Sequence, residues 1–141
     1  PTAAPGYARQ LASEAGDADV RVEGPFPEGE KAAVFAGMDV LLVPSVGLES
    51  YGLVVDEAMA HGVPVVASRL GALPERYDES CGGFVPAGDP EALRSEVLRL
   101  AARPEQVDAW RRALPRVRTL ADTARRIEEI YHEVLAAGGG P

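Results

Sequence analysis

Apolar residues recur along this chain with two different spacings. MDVLLVP (38–44) and VPVVAS (63–68) are continuous apolar runs, the first stopped by Pro44. Short runs of this kind suit strands buried on both faces, as in parallel sheets. GGFVPAG (82–88) predicts another strand between glycines, and VRVEG (20–24) a short strand ended by Gly24. Between these runs the apolar positions fall at helical spacing. Helices are predicted over 7–15, with Tyr7 and Leu11 on one face, over 29–37, with Ala32, Ala33 and Phe35, and over 53–61. Gly62 then suits the position just past a helix end, and Pro64 is a stop signal. GALPERY (71–77) predicts a turn and a short helix.

The last third of the chain changes character. Asp89-Pro90-Glu91 is a helix start, with Asp as N-cap, Pro at the first helical position and an acid near the positive helix end. Leu93, Val97 and Leu100 make an apolar stripe behind it. Pro104 opens a second helix and Pro115 closes it. The longest helix is predicted over 119–136, with Leu120, Ala124, Ile127, Ile130, Tyr131 and Val134 on one side. Strands alternating with helices, followed by helices, predict an α/β fold with a parallel sheet.

Composition narrows the function classes. The 141 residues are 46% hydrophobic, enough for one domain or part of one with a real core. A formal net charge of −8 argues against sequence-blind binding of nucleic acid or an anionic membrane. It does not argue against one phosphorylated small molecule, because a site can be locally positive. Cys81 is the single cysteine, so a disulfide framework and a cysteine-based zinc site within one chain are excluded, and a reducing, cytoplasmic setting fits. No apolar run approaches the ~20 residues of a membrane span. The first residue is Pro1 rather than Met, as in a piece of a longer protein.

The candidate chemistry lies in PSVGLESYGLVVDEAMA (44–60). Glu49 and Glu57 stand eight positions apart around Gly52. The loop follows a predicted strand, and ligands of open parallel sheets bind at the carboxyl ends of strands. The first N–H groups of the following helix lack partners within it and suit a phosphate. Gly52 lets a ligand approach the backbone closely. Carboxylates accept hydrogen bonds from hydroxyls, so Glu49 and Glu57 could hold polyol groups on either side of a phosphate. A nucleotide sugar has that layout: ribose, diphosphate, hexose. Spacing alone equally allows a solvated pair of acids.

PS…E-S-Y-G-L-V-V-D-E-A-M-A-H-G-V-P-V-V-A-S…G-A-L-P-E resembles the C-terminal, donor-binding half of retaining glycosyltransferases with the GT-B fold. The resemblance extends weakly over most of 7–136, and its specific part is 44–75. It implies a Rossmann-like parallel sheet with flanking helices, apparently without its first two strands. It implies a partial nucleotide-sugar-binding domain over 1–141, with its core in 20–88 and C-terminal helices in 89–136. The implied reaction is hexosyl transfer from a nucleotide diphosphate sugar to a sugar, lipid or polyol acceptor, with retention at the anomeric carbon. By the same resemblance Glu57 binds the ribose hydroxyls and Glu49 the hydroxyls of the transferred sugar, as the catalytic-site residue. Backbone N–H groups of Tyr51, Gly52, Leu53 and Val54 meet the sugar and the diphosphate. Val22 and Gly24, within 22–25, match the edge that contacts the base. The family needs no metal for the donor phosphates and no cofactor besides the donor substrate. A non-catalytic nucleotide-sugar-binding or association module and a GT-B sugar-nucleotide epimerase are the alternatives.

Several positions depart from the pattern. Asp56 stands where the family often has an apolar or basic residue, and is expected to be exposed. Ala72 replaces a common second glycine after Gly71. Glu75 is expected to be a turn residue, His61 to suit the negative end of its helix, and His132 and Arg111–Arg118 to face solvent. Trp110 is expected to pack rather than stack on a ligand. The resemblance also implies an absent N-terminal acceptor-binding domain and an absent Arg/Lys segment that clamps the diphosphate. Lys31, the single lysine, is misplaced to substitute for it. The isolated chain is therefore expected to be inactive, and any peripheral membrane association belongs to the parent. Without its neighbours, strand 20–23 would be misplaced or pair with a second copy, or the chain is cut from a larger structure, because an open apolar edge invites pairing.

Overall fold

The computed structural model describes residues 5–16 and 18–138. Its contacts divide the chain into two compact units, Pro1–Val34 and Phe35–Pro141. The first holds α1 (Pro5–Ala15), a 3₁₀ turn at Glu28–Glu30 and the start of α2 (Lys31–Ala36), which crosses the boundary. Lys31 closes this turn by pairing with Glu28 at 2.7 Å. The predicted strand at 20–24 does not form. Residues 20–26 have no regular structure, and all of them are exposed. A strand exists only through its ladder, and none of the described strands pairs with this segment.

The second unit is built on three parallel strands, β1 (Leu41–Val43), β2 (Val65–Ser68) and β3 (Gly82–Val85), in the order β1-β2-β3. Leu41 to Val43 align with Val65 to Ala67, and Val65 to Ser68 with Gly82 to Val85. β2 is central and every one of its residues is buried. Its side chains alternate between two cores, as the pleat demands. Val65 and Ala67 join Phe35, Val43, Val55, Ala58, Met59, Leu73 and Tyr77 on one face. Val66 joins Val85, Leu100, Val107 and Trp110 on the other. This double burial is why VPVVAS reads as an unbroken apolar run. β1 lies at the sheet edge, where Leu42 stays partly exposed.

The helices complete the layers. α3 (Leu53–Ala60) covers the first face through Val55, Ala58 and Met59. α4 (Pro90–Ala101) and α5 (Pro104–Ala113) cover the second through Leu100, Val107 and Trp110. Asp89 caps α4 as its sequence predicts, its carboxylate accepting from the Ala92 amide at 2.9 Å. Trp110 is a packing residue: it is buried, and its ring N–H donates to the Glu79 carbonyl at 3.2 Å. α6 (Leu120–Ala137) is the longest helix, and none of its residues is buried.

Candidate functional site

Three segments converge after the carboxyl end of β1. The loop 44–52 leads from the strand to α3, and the turn 70–76 lies against it. Glu49 is half-buried in this loop. Its carboxylate accepts from the Ser45 hydroxyl at 3.1 Å. Its carbonyl accepts from the Ala72 amide at 3.0 Å. Gly71 makes that contact possible. It has φ +59°, and a Cβ there would lie 2.6 Å from the Glu49 carbonyl oxygen. The close approach falls at Gly71, and Ala72 beside it has an ordinary right-handed backbone (φ −79°) that does not require a second glycine.

Gly52 turns the chain into α3. It is buried, adopts φ +79°, and a Cβ there would lie 2.8 Å from the side chain of Leu73, itself wholly buried. Both the left-handed backbone and the packing select glycine. No side chain caps this helix start. The Val55 amide turns back to the Gly52 carbonyl at 2.9 Å. The side chains of Leu53 and Val54 face solvent, as does much of Tyr51. An uncapped helix start with its positive end open is chemically suited to an anion.

Glu57 lies half-buried in the second turn of α3. Its carbonyl accepts from the His61 ring at 2.7 Å, which places the proton on Nδ1. His61 also stacks on Phe35, with ring centroids 4.9 Å apart, so it is a helix-end residue as expected. Glu75 ends the 3₁₀ turn Leu73–Glu75 and is exposed, as a turn residue would be.

Asp56 is a correction. Its side chain is only 16% exposed and is ion-paired with Arg76. The hydrogen bond that Arg76 donates to the Asp56 carboxylate raises the Arg76 pKa above its ordinary value, against the opposing effect of burial. The Arg76 guanidinium also lies 4.0 Å over the Tyr51 ring and donates to its hydroxyl at 3.0 Å. The acid in the first turn of α3 is thus neutralised by a partner 20 positions away. Arg69, just past β2, is likewise engaged: it pairs with Glu79 and lies 4.8 Å over the Phe84 ring.

The structure thus gathers Glu49, Tyr51, Gly52, Leu53, Val54 and Glu57 around one helix start. Val22 and Gly24 lie in the first unit, exposed and irregular. Sequence reasoning missed the roles of Ser45, Gly71 and Arg76. Ser45 carries a local signal, standing one helical turn's spacing before Glu49. Arg76 carries none.

Residues 3–103 match the family described as glycosyl transferases group 1. The chain belongs to that family. It is 36% identical to a D-inositol 3-phosphate glycosyltransferase of Corynebacterium efficiens, over 100% of this chain and 35% of that protein. It is also 36% identical to a phosphatidyl-myo-inositol mannosyltransferase of Mycobacterium leprae, over 94% of this chain and 37% of that one. This glycosyl transferase chain therefore spans about a third of the length of these curated relatives. Among solved structures, sucrose-phosphate synthase from Thermosynechococcus elongatus superposes with a TM-score of 0.76 at 29% identity, covering 92% of this chain and 34% of that one. Anabaena HepE, solved with UDP and glucose, gives a TM-score of 0.75 at 18% identity over 91% of this chain and 37% of its own, which shows the shared fold. The Rossmann-like α/β architecture of GT-B glycosyltransferases is thus the fold of this group 1 chain.

Proposed function

We propose that this chain supplies the donor-binding part of a retaining glycosyltransferase that moves a hexosyl group from a nucleotide diphosphate sugar to a hydroxyl acceptor. One observation carries the reading: two half-buried glutamates flank an uncapped helix start at the carboxyl end of a parallel strand. The amides at the start of α3 receive the diphosphate. Glu57, farther along the helix, accepts hydrogen bonds from the ribose. Glu49, oriented by Ser45 and by the Ala72 amide, accepts from hydroxyls of the sugar. Relatives named for inositol phosphate and phosphatidyl-inositol favour a polyol as acceptor.

In the transfer, the bond from the anomeric carbon to the diphosphate oxygen breaks and a bond to the acceptor oxygen forms on the same face. The acceptor proton passes to the departing phosphate. The protein contributes position and charge stabilisation rather than a nucleophile. Acceptor binding falls to a further domain of the parent, which we place in the cytoplasm, as the lone cysteine suits.

Calorimetric titration with UDP, GDP and ADP tests this. One of the three binds, and Glu57→Ala weakens that free nucleotide by about tenfold or more, the loss of roughly one charged hydrogen bond. Glu49→Gln weakens the corresponding sugar nucleotide more than the free nucleotide. Equal losses on both ligands would contradict the division of labour, and no binding by the unaltered chain would overturn donor binding by this chain alone.

A further inference from the structure

Arg76 sits in the turn after β2, yet its side-chain hydrogen bonds among the described residues reach the start of α3. It meets Tyr51, before Gly52, and Asp56, after it. Both contacts use Nη2, while the guanidinium lies 4.0 Å over the Tyr51 ring. The Arg76 side chain is 23% exposed, and its Nε is buried without a hydrogen-bond partner among the described residues. An exposed ion pair holds its partners loosely and contributes little. Here the pair is largely withdrawn from water and is braced by an aromatic face. Gly52, lacking a side chain, cannot brace the turn itself.

We propose that Arg76 is a positioning residue: gripping Tyr51 and Asp56 across Gly52, it fixes the backbone turn that aims the first amides of α3. Its consequence for binding rests on the donor-site reading above; its geometry does not. Asp56 already balances the arginine, so Arg76 acts on a ligand through the backbone of 51–54 rather than through its own charge. The guanidinium is then essential. A lysine can pair with Asp56, but its compact ammonium does not also cover the Tyr51 ring while donating to its hydroxyl.

The test compares Arg76→Lys, Tyr51→Leu and Asp56→Asn in the whole chain by two readouts. The first is hydrogen exchange at the Val55 and Ala72 amides, whose acceptors are the Gly52 and Glu49 carbonyls. The second is affinity for UDP, GDP and ADP. Arg76→Lys should leave the melting temperature near the original, because the charge pair survives. Exchange at Val55 and Ala72 should quicken about tenfold, with β2 amides unchanged. Nucleotide affinity should fall by a similar factor. Tyr51→Leu, at an exposed position, should quicken the same amides. Unchanged exchange in both variants overturns the proposal. So does Asp56→Asn that tightens nucleotide binding without altering exchange, since Arg76 would then act as a bare charge. Should the unaltered chain bind none of the three nucleotides, donor binding by this chain alone fails while the exchange result still decides the clamp.

Discussion

Helices α3 and α6 are both predicted by sequence, and the structure treats them in opposite ways. α3 is eight residues long and buries Val55, Ala58 and Met59 against the sheet. α6 is eighteen residues long and buries none. Short isolated helices are marginal in water, so α3 depends on tertiary packing. α6 instead carries its own local supports. Thr119 and Asp122 form a reciprocal capping box, and Arg116 and Arg125 both reach the Asp122 carboxylate. Arg126 pairs with Glu129 and Glu133. The candidate site therefore sits on a helix start whose position is set by the core. The long C-terminal helix is set by its own sequence.

The largest effect expected from this contrast is in the core under Gly52. Leu73→Ala should cost about 2–5 kcal/mol, because a wholly buried leucine leaves a cavity. Ile130→Ala, at a position of α6 that is 41% exposed, should cost no more than about 0.5 kcal/mol. Urea unfolding of the two variants measures both. Similar costs would mean that the α6 stripe is packed as tightly as the α3 face, and the contrast would collapse.

A smaller effect is expected at Gly71. Alanine there must hold a left-handed backbone and press on the Glu49 carbonyl. The strain should cost about 1–3 kcal/mol, or be relieved by moving Glu49. In the second case the Ala72 to Glu49 hydrogen bond breaks, and a sugar nucleotide loses more affinity than the free nucleotide. Calorimetry with both ligands separates the two outcomes. A variant with unchanged stability and binding would show that the 70–76 turn does not position the loop.

What could be read from the sequence follows the reach of each interaction. Asp89 before Pro90, and Gly62 before Pro64, are neighbours in the chain, and the helix ends they mark are where the structure has them. VPVVAS revealed the central strand because burial on both faces leaves a local trace. The strand at 20–24 had the right residues, but a strand needs a ladder, and ladder partners are not encoded nearby. Asp56 was misjudged for the same reason, since its partner lies in another turn. Glu49 and Glu57 were found through a motif. What orients Glu49 from outside its own loop, the amide of Ala72 and the bare face of Gly71, is visible only in three dimensions. For α6 the stripe was legible at once, and the capping box at 119–122 is legible in retrospect.

The smallest effect concerns that box, and acid should reveal it. Backbone and side-chain hydrogen bonds from Thr119, with help from Arg125 and Arg116, lower the Asp122 pKa from 3.8 to about 2. A carboxylate with a lowered pKa in the folded helix stabilises it fully above the unfolded value. That contribution fades as pH falls from 3.8 and is gone below about 2. Because Asp122 is tied to Thr119 and not to the core, the loss should appear first at the start of α6. Amide signals of Thr119–Thr123 should shift between these two pH values, ahead of those of Val65–Ser68. Asp122→Asn keeps an acceptor at this position but removes the proton-binding step, so its amides should stay level through the same range. If α6 and β2 instead respond together, α6 is coupled to the core after all, and its stability is not its own.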